Sequence, residues 1–287
     1  MTGDSVVNAA EMEAFAGNPE RVSKFVAPEI RLDPPVIAAH GLAELMGVST
    51  TLRSKMIMLK EKAIIAEFNK CGKPEDKDNL KHVLAGTYRE DWGRSDALSV
   101  SLEALLETAE AKAAHLEQHH ILALRLYTTS SFKCINEPLR RNPPPKQHPF
   151  AATTLFIQDG IKKLRAINTG SGGAVETKVF WRGMKDLSLP KSFVKEGGAE
   201  FACMSTSADF EIAVKFAEVG KSASPLIFKY VTTSFMNRGA DISFLSVYPE
   251  EKEVLYPPLT YLEPVTVKKQ SIKGKWFIVA EVKPMMS

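Results

Sequence analysis

Residues 250–256 read EEKEVLY, which places two carboxylates two positions apart at the mouth of a strand-like run. Side chains alternate along a strand, so Glu251 and Glu253 are predicted to share one face while Lys252 points away. Two carboxylates on one face can divide labour, one binding a polar substrate while the other orients or deprotonates it. The same pattern is typical of a solvated strand edge, so this stretch alone leaves both interpretations open.

Two other predicted strands end in residues that can bind a ligand. The first, VFWRG at residues 179–183, ends in Arg182 and Gly183. A guanidinium can bind phosphate or carboxylate through two hydrogen bonds, and a glycine lets a flat ligand approach the backbone. The second, FACMSTS at residues 201–207, ends in three hydroxyls that can orient a carboxylate, contact a ribose or cap a following helix. These hydroxyls belong to Ser205, Thr206 and Ser207.

In chain order, the Arg-Gly, Ser-Thr-Ser and Glu-x-Glu motifs resemble the Arg-Ser-Glu class of mono-ADP-ribosyltransferases, which includes clostridial-type toxins and vertebrate ectoenzymes. The resemblance covers roughly residues 123–283, including the segment at 126–140 and the predicted helix at 208–217. Trp181 departs from the family pattern, because many relatives carry Tyr at that place. The change from helical to strand periodicity along the chain predicts an α+β fold, with a helical N-terminal region at residues 1–118. The resemblance implies an ADP-ribosyltransferase-like core of two packed small sheets at residues 119–287.

The resemblance also implies a role for each motif residue. Glu253 would be the catalytic glutamate that promotes cleavage of nicotinamide from NAD, and Ser205 would position it. Arg182 would contact the NAD phosphates, and Gly183 would bind the nicotinamide amide through its backbone. Glu251 would orient an acceptor arginine. Ser205, Thr206 and Ser207 would complete the NAD-binding set with Arg182 and Gly183.

The activity that follows from this resemblance is transfer of a single ADP-ribose from NAD to an exposed arginine of an acceptor protein, with release of nicotinamide. Two alternatives stay open. Water can capture the same ribose, which would make the chain an NAD glycohydrolase. The sheet cleft can also hold a nucleotide or a protein without any reaction, which would make it a catalytically silent binding module.

Composition narrows the partners and the compartment. The chain has 287 residues, of which 44% are hydrophobic and 25% charged, as in ordinary globular proteins. A net charge of +3 from 37 basic and 34 acidic residues argues against a nucleic-acid partner. Three widely spaced cysteines, Cys71, Cys134 and Cys203, argue against a disulfide framework. No apolar run approaches the roughly 20 residues of a membrane span. We therefore expect an intracellular protein, with a translocated or secreted effector as the open alternative.

The first half of the sequence reads as helical. Residues 11–27 predict short helix or coil, and residues 36–68 predict a helical hairpin with an N-cap at Ser49. Further helices are predicted at 80–92 and 99–124. These helices can flank the NAD site, act as a substrate adaptor or form a regulatory cap. Residues 171–173 predict a loop, after which the periodicity changes to that of strands.

Three histidines and two aromatic residues are further candidates for binding a metal or the substrate. His115, His119 and His120 lie at helical spacing, but no glutamate stands in the H-E-x-x-H order and no third ligand lies nearby in sequence, so no metal is predicted. Phe244 and Tyr248 precede the glutamates and are both candidates for an aromatic contact with the substrate.

Overall fold

The computed structural model describes residues 5–6, 30–33, 41–92, 99–167, 177–219 and 225–286. A helical region comes first and a mixed β-sheet follows, which confirms the predicted α+β class. The helix or coil predicted at residues 11–27 and the loop predicted at 171–173 lie outside the described residues. Within the described residues, none of the helices has both the length and the hydropathy that a membrane span needs.

The predicted hairpin at residues 36–68 is described from residue 41 onward, where it is a series of short helices. Ser49 is the predicted N-cap, and its Oγ accepts a 3.2 Å hydrogen bond from the N–H of Leu52. Lys60 has a left-handed φ of 47°. It is the C-cap of the helix Thr50–Leu59 and the N-cap of the helix Glu61–Cys71. The helices are α1 (Leu42–Leu45), α2 (Thr50–Leu59), α3 (Glu61–Cys71), α4 (Pro74–Ala85), α5 (Leu102–Leu106), α6 (Ala109–Ala113), α7 (Gln118–Tyr127), α8 (Phe132–Arg140), α9 (Ala151–Ile167), α10 (Phe193–Glu196) and α11 (Phe210–Glu218).

Helix α7 lies at the centre of the helical region. Its residues Ile121 and Leu122 are fully buried, and one apolar cluster joins them to Phe68 of α3, Leu80 of α4 and Leu255 of the sheet. Burial of apolar surface on this scale is the main force that holds the helices on the sheet. The division of the chain between residues 118 and 119 stays a prediction.

The histidines of α7 belong to this packing. The rings of His119 and His120 lie 3.9 Å apart, and the ring of Phe156 packs edge-on against His119. Nε2 of His120 lies 2.8 Å from the carboxylate of Asp159. In the part of the chain that the structure describes, no group of three or more His, Cys, Asp or Glu side chains is placed to hold a metal.

The strands form one continuous sheet, so the prediction of two packed small sheets was wrong. Their order is β1-β8-β9-β5-β2-β4-β7-β6, and β3 pairs with β8 beside this path. A single register pair, Trp181 with Ser207, joins β2 to β4 and so connects the two halves. Strand periodicity alone does not say whether two strands pair edge to edge or pack face to face. The strands are β1 (Ser5–Val6), β2 (Lys178–Met184), β3 (Gly198–Glu200), β4 (Met204–Ser207), β5 (Leu226–Thr232), β6 (Ala240–Asp241), β7 (Glu253–Tyr256), β8 (Thr260–Ile272) and β9 (Lys275–Met285).

Three neighbouring strands carry the three sequence motifs. Strand β2 contains Arg182 and Gly183, β4 contains the Ser-Thr-Ser motif, and β7 begins at Glu253. Strands β4 and β7 are antiparallel, with Ser207 opposite Glu253 and Ser205 opposite Leu255. The sheet order therefore brings side chains that are far apart in sequence to one place.

Candidate active site

A cavity of about 430 Å³ lies between strands β2, β4 and β7, helix α11, and the turn that joins α7 to α8. Its volume falls within the range of roughly 300 to 1,000 Å³ that is usual for small-molecule sites. All seven residues that the sequence motifs indicated line this cavity: Arg182, Gly183, Ser205, Thr206, Ser207, Glu251 and Glu253.

Glu253 is the first residue of β7 and is only 5% exposed. Burial raises the pKa of Glu253 to about 7, since the charged form loses its hydration. A hydrogen bond from Ser205 opposes this change, while the negative charge of Glu251 adds to it. The result is a buried carboxyl that changes its charge near neutral pH.

Glu251 does not lie on β7. It ends a 3₁₀ turn, Pro249–Glu251, and Lys252 follows with a left-handed φ of 47°. The predicted strand alternation was therefore wrong, although this turn still brings Glu251 and Glu253 to the same cavity. Burial, together with the charge of Glu250, raises the pKa of Glu251 to about 7.

The Ser-Thr-Ser motif ties β4 to β7 and to the glutamate turn. Thr206 Oγ1 donates a 2.7 Å hydrogen bond to the carbonyl of Val254, and Ser207 Oγ donates a 2.6 Å bond to the carbonyl of Glu251. The alternative that these hydroxyls cap the next helix is wrong, because Asp209 is the N-cap of α11. Ser207 Oγ instead accepts a 2.9 Å bond from the N–H of Asp209.

Gly183 allows α11 to pack directly on β2. A Cβ atom at this position would lie 2.0 Å from the carbonyl oxygen of Ala213 and 2.7 Å from the nitrogen of Ala217. The neighbouring Trp181 packs its ring against Phe210 at the start of α11, with ring centroids 4.7 Å apart. The Arg-Gly motif is thus also a packing site, which brings the helix to the edge of the cavity.

Two guanidinium groups face the cavity. Arg140 of α8 forms two 3.0 Å hydrogen bonds with the carboxylate of Glu200, which is 1% exposed, so its charge is balanced inside the protein. Arg182 of β2 is half-buried and hydrogen-bonds the hydroxyl of Tyr230, a neutral partner. The charge of Arg182 is therefore available to an anionic ligand such as a diphosphate.

The sequence motifs did not indicate the opposite side of the cavity, although the segment at residues 126–140 is part of the resemblance. Tyr127 and Asn136 line this side. The Tyr127 hydroxyl donates to the carbonyl of Cys203 at 3.2 Å and accepts a 3.0 Å bond from Asn136 Nδ2. Asn136 Oδ1 also accepts a 3.2 Å bond from the N–H of Cys203. These bonds fasten α7 and α8 to the residue that precedes β4.

Tyr248 and Phe244, the two aromatic candidates, lie in different places. Tyr248 lines the cavity. Phe244 lines a separate pocket of about 240 Å³ together with Leu164 and Ile167. Position therefore favours Tyr248 as the aromatic group that meets a ligand of the cavity.

Known proteins resemble this chain in sequence and in fold. A family model described as NAD:arginine ADP-ribosyltransferase matches residues 75–283. A variant of the eukaryotic mono-ADP-ribosyltransferase ART2.2 in complex with NAD gives a TM-score of 0.56 at 16% identity, covering 89% of this chain and 95% of that chain. A second ART2.2 variant, in complex with NADH, gives a TM-score of 0.54 at 16% identity, covering 89% and 96%.

Exoenzyme S from Pseudomonas aeruginosa is also similar, at 19% identity and a TM-score of 0.45, covering 72% of this chain and 88% of that chain. A search of curated protein sequences gave no match. The ART2.2 structures show that the fold is shared. The family model spans well over half of the sequence, from α4 to the end of the sheet. The chain therefore belongs to the NAD:arginine ADP-ribosyltransferase family.

Proposed function

We propose that this chain transfers a single ADP-ribose from NAD to an arginine side chain of an acceptor protein and releases nicotinamide. The observation that carries the proposal is the pair Glu251 and Glu253, two carboxyls with a pKa of about 7 that line one cavity. Family membership supports NAD as the substrate. NAD supplies the bond between nicotinamide and ribose that breaks.

Glu253 stabilises the positive charge that develops on the ribose as this bond weakens. A carboxylate performs this task only in its ionised form, and its effect is large in a site from which water is excluded. The hydrogen bond from Ser205 favours the ionised form of Glu253. In this proposal Ser205 positions Glu253, a role that the resemblance also implies.

Glu251 receives the acceptor arginine. It stands on a turn rather than on a strand, and it is more exposed than Glu253. A carboxylate can bind a guanidinium through two hydrogen bonds, which orients the acceptor nitrogen for attack. Ser207 holds this turn through its bond to the Glu251 carbonyl.

Arg182 binds the NAD diphosphate in this proposal, because among the described residues it bonds the neutral Tyr230 hydroxyl, whereas Arg140 is paired with the carboxylate of Glu200. Gly183 presents its backbone to the nicotinamide amide, and Tyr248 covers the side of the cavity nearest the glutamate turn. The sequence predicts Thr206 and Ser207 as further NAD contacts; we assign them instead to the support of the site, because each hydroxyl already donates to a backbone carbonyl.

Labelled NAD and the arginine mimic agmatine test the proposal. The wild-type chain should form a labelled adduct, and Glu253→Gln should reduce the rate at least about 10²-fold, as expected when a charge-stabilising group is lost. Glu263→Gln is the matched control, because Glu263 is exposed and lies outside the cavity. Equal labelling by wild type and Glu253→Gln would refute the proposal.

The same assay separates the alternatives. Release of nicotinamide without an adduct, unchanged in Glu251→Gln, would identify an NAD glycohydrolase. An absence of NAD consumption would favour a silent binding module. Mass spectrometry of modified residues in a cell lysate would then identify the acceptor protein. The intracellular location stays a prediction.

A further inference from the structure

Helix α4 buries two polar side chains that have no part in the chemistry above. Asp76 is 6% exposed and Asn79 is fully buried. Burying a carboxylate or an amide costs free energy unless its hydrogen-bonding groups find partners inside the protein. The partners of these two side chains therefore show what the helix is built to hold.

Those partners are the hydroxyls of the turn between α7 and α8. Asn79 Nδ2 donates to Ser130 Oγ at 3.0 Å and to Ser131 Oγ at 2.9 Å. Ser131 Oγ in turn donates to Asp76 Oδ1 at 2.9 Å, and Ser130 Oγ donates to the carboxylate of Glu75. One turn of α4 thus binds two consecutive serines that lie more than 50 residues away in sequence.

The orientation of Asn79 is itself fixed. Its Oδ1 accepts a 2.7 Å hydrogen bond from Arg89 Nη1, which also lies 3.4 Å from Asp78 Oδ2. The other oxygen of Asp76 accepts a 3.0 Å bond from the N–H of Lys73 at the start of α4. Both ends of the amide and both carboxylate oxygens are therefore used, so only one arrangement of the turn satisfies them all.

The turn held in this way forms part of the cavity. Thr128, Thr129 and Ser130 line it, whereas Ser131 is fully buried behind them. Thr128 Oγ1 also accepts a 3.1 Å bond from the N–H of Val247, next to the cavity residue Tyr248. The conformation of the turn therefore sets the shape of the cavity on its helical side.

We propose that Asp76 and Asn79 are positioning residues, which act through Ser130 and Ser131 to hold the turn at residues 128–131 in the shape that accepts NAD. The inference rests on the proposed function, because NAD is the ligand that it assumes. Among the roles left open for the N-terminal helices, it assigns α4 to the flank of the NAD site. An apolar contact would pack the helix as well, but it would not select a single conformation of the turn.

The test compares Asn79→Ala, Ser131→Ala and the double variant with a matched control, Glu67→Ala. Glu67 also accepts three hydrogen bonds, from the N–H groups of Ala152 and Thr153 and from the Thr153 hydroxyl, but none of these residues lines the cavity. The dissociation constant for NAD should rise about tenfold in Asn79→Ala and Ser131→Ala, as should KM, with kcat within about twofold of wild type. The control should lose stability without a change in KM.

The double variant shows whether the two residues act through one contact. Its effect should be smaller than the sum of the two single effects, because the bond from Asn79 Nδ2 to Ser131 Oγ is lost in both single variants. Additive effects, or an unchanged dissociation constant in both single variants, would overturn the inference. Should Asn79→Ala fail to fold, Ser131→Ala decides, since it removes one hydroxyl that does not face the cavity.

Amide hydrogen exchange separates this inference from the proposed function. A wild-type chain that binds no NAD would refute the proposed function, but it would not show that α4 fails to hold the turn. Exchange at residues 128–131 should be faster in Ser131→Ala and Asn79→Ala than in Glu67→Ala. Equal exchange in all three variants would overturn the inference whatever the NAD result.

Discussion

The cavity has two walls that are built by different means. The sheet wall consists of β2, β4 and β7, with a backbone ladder of four register pairs between β4 and β7 and one register pair between β2 and β4. The helical wall consists of the turn at residues 128–131 with the adjoining ends of α7 and α8, and side-chain hydrogen bonds hold it in place. Glu253 lies on the sheet wall, and Glu251 lies on the turn that leads into β7. The backbone thus holds the groups that carry the proposed chemistry, whereas side-chain contacts shape the opposite wall of the cavity.

Replacement of Gly183 should have the largest effect on the sheet wall. The added methyl group of Gly183→Ala would lie 2.0 Å from the Ala213 carbonyl, so α11 must move away from β2. We expect a loss of about 3 kcal/mol in the free energy of unfolding, together with loss of NAD binding. Urea unfolding followed by circular dichroism measures the first effect, and calorimetry measures the second.

Gly41→Ala is the control for this substitution, because a Cβ at Gly41 would meet no atom of the described residues within 4 Å. It should leave both quantities unchanged. A Gly183→Ala variant as stable as Gly41→Ala would show that the sheet wall can yield, and the contrast between the two walls would then fail.

The same contrast explains which parts of the site could be predicted from the sequence. Glu253 begins β7, and Arg182 and Ser205 lie within β2 and β4; in each case a few neighbouring residues and their order identify the position. The turn at Glu251 could not be predicted, because it depends on the left-handed backbone of Lys252, which a run of Glu and Lys does not indicate. Sequence motifs therefore predict the site residues whose positions depend on their neighbours in the chain.

Long-range contacts set the limit of prediction for the fold and for the helical wall. The helical and strand halves follow from periodicity, which is a local property. The single sheet depends on the pairing of Trp181 with Ser207, and the helical wall depends on the bond between Asn79 and Ser131, 52 residues away. Neither contact leaves a pattern within a window of ten or twenty residues, so neither could be deduced from one sequence.

Two buried glutamates, one in each half of the molecule, should respond differently to the same substitution. Burial raises the pKa of both Glu253 and Glu67 to about 7. Each folded-state pKa lies above the value of the unfolded chain, so the native state binds extra protons between about pH 4.5 and 7. These carboxyls therefore make the protein less stable as the pH rises through that window.

Glu253→Gln removes this penalty, so the variant should be more stable than wild type at pH 8, by on the order of 2 kcal/mol. Below about pH 4.5 the difference should vanish, since the wild-type carboxyl is then protonated in both states. At pH 8 the gain in the free energy of unfolding should be about 1–2 kcal/mol smaller for Glu67→Gln than for Glu253→Gln. The amide nitrogen introduced by Glu67→Gln would replace an acceptor oxygen, since the carboxylate of Glu67 accepts from the N–H donors at the start of α9. Urea unfolding at both pH values measures these differences. Equal changes in the two variants would show that the contrast does not hold for the carboxyls.

The smallest expected effects come from removing one hydroxyl on each wall, that of Thr206 on the sheet wall and that of Ser131 on the helical wall. Thr206 is 3% exposed, and its hydroxyl donates to the Val254 carbonyl at 2.7 Å. Thr206→Val keeps the side-chain shape and should cost about 1 kcal/mol of stability, with no change in KM for NAD, because the backbone ladder still fixes β4 against β7. Ser131→Ala should cost a similar stability but raise KM, since the helical wall has no such ladder. A rise in KM for Thr206→Val would mean that the Thr206 hydroxyl contacts NAD, as the sequence motif predicts. The same side chain would then both bind NAD and join β4 to β7.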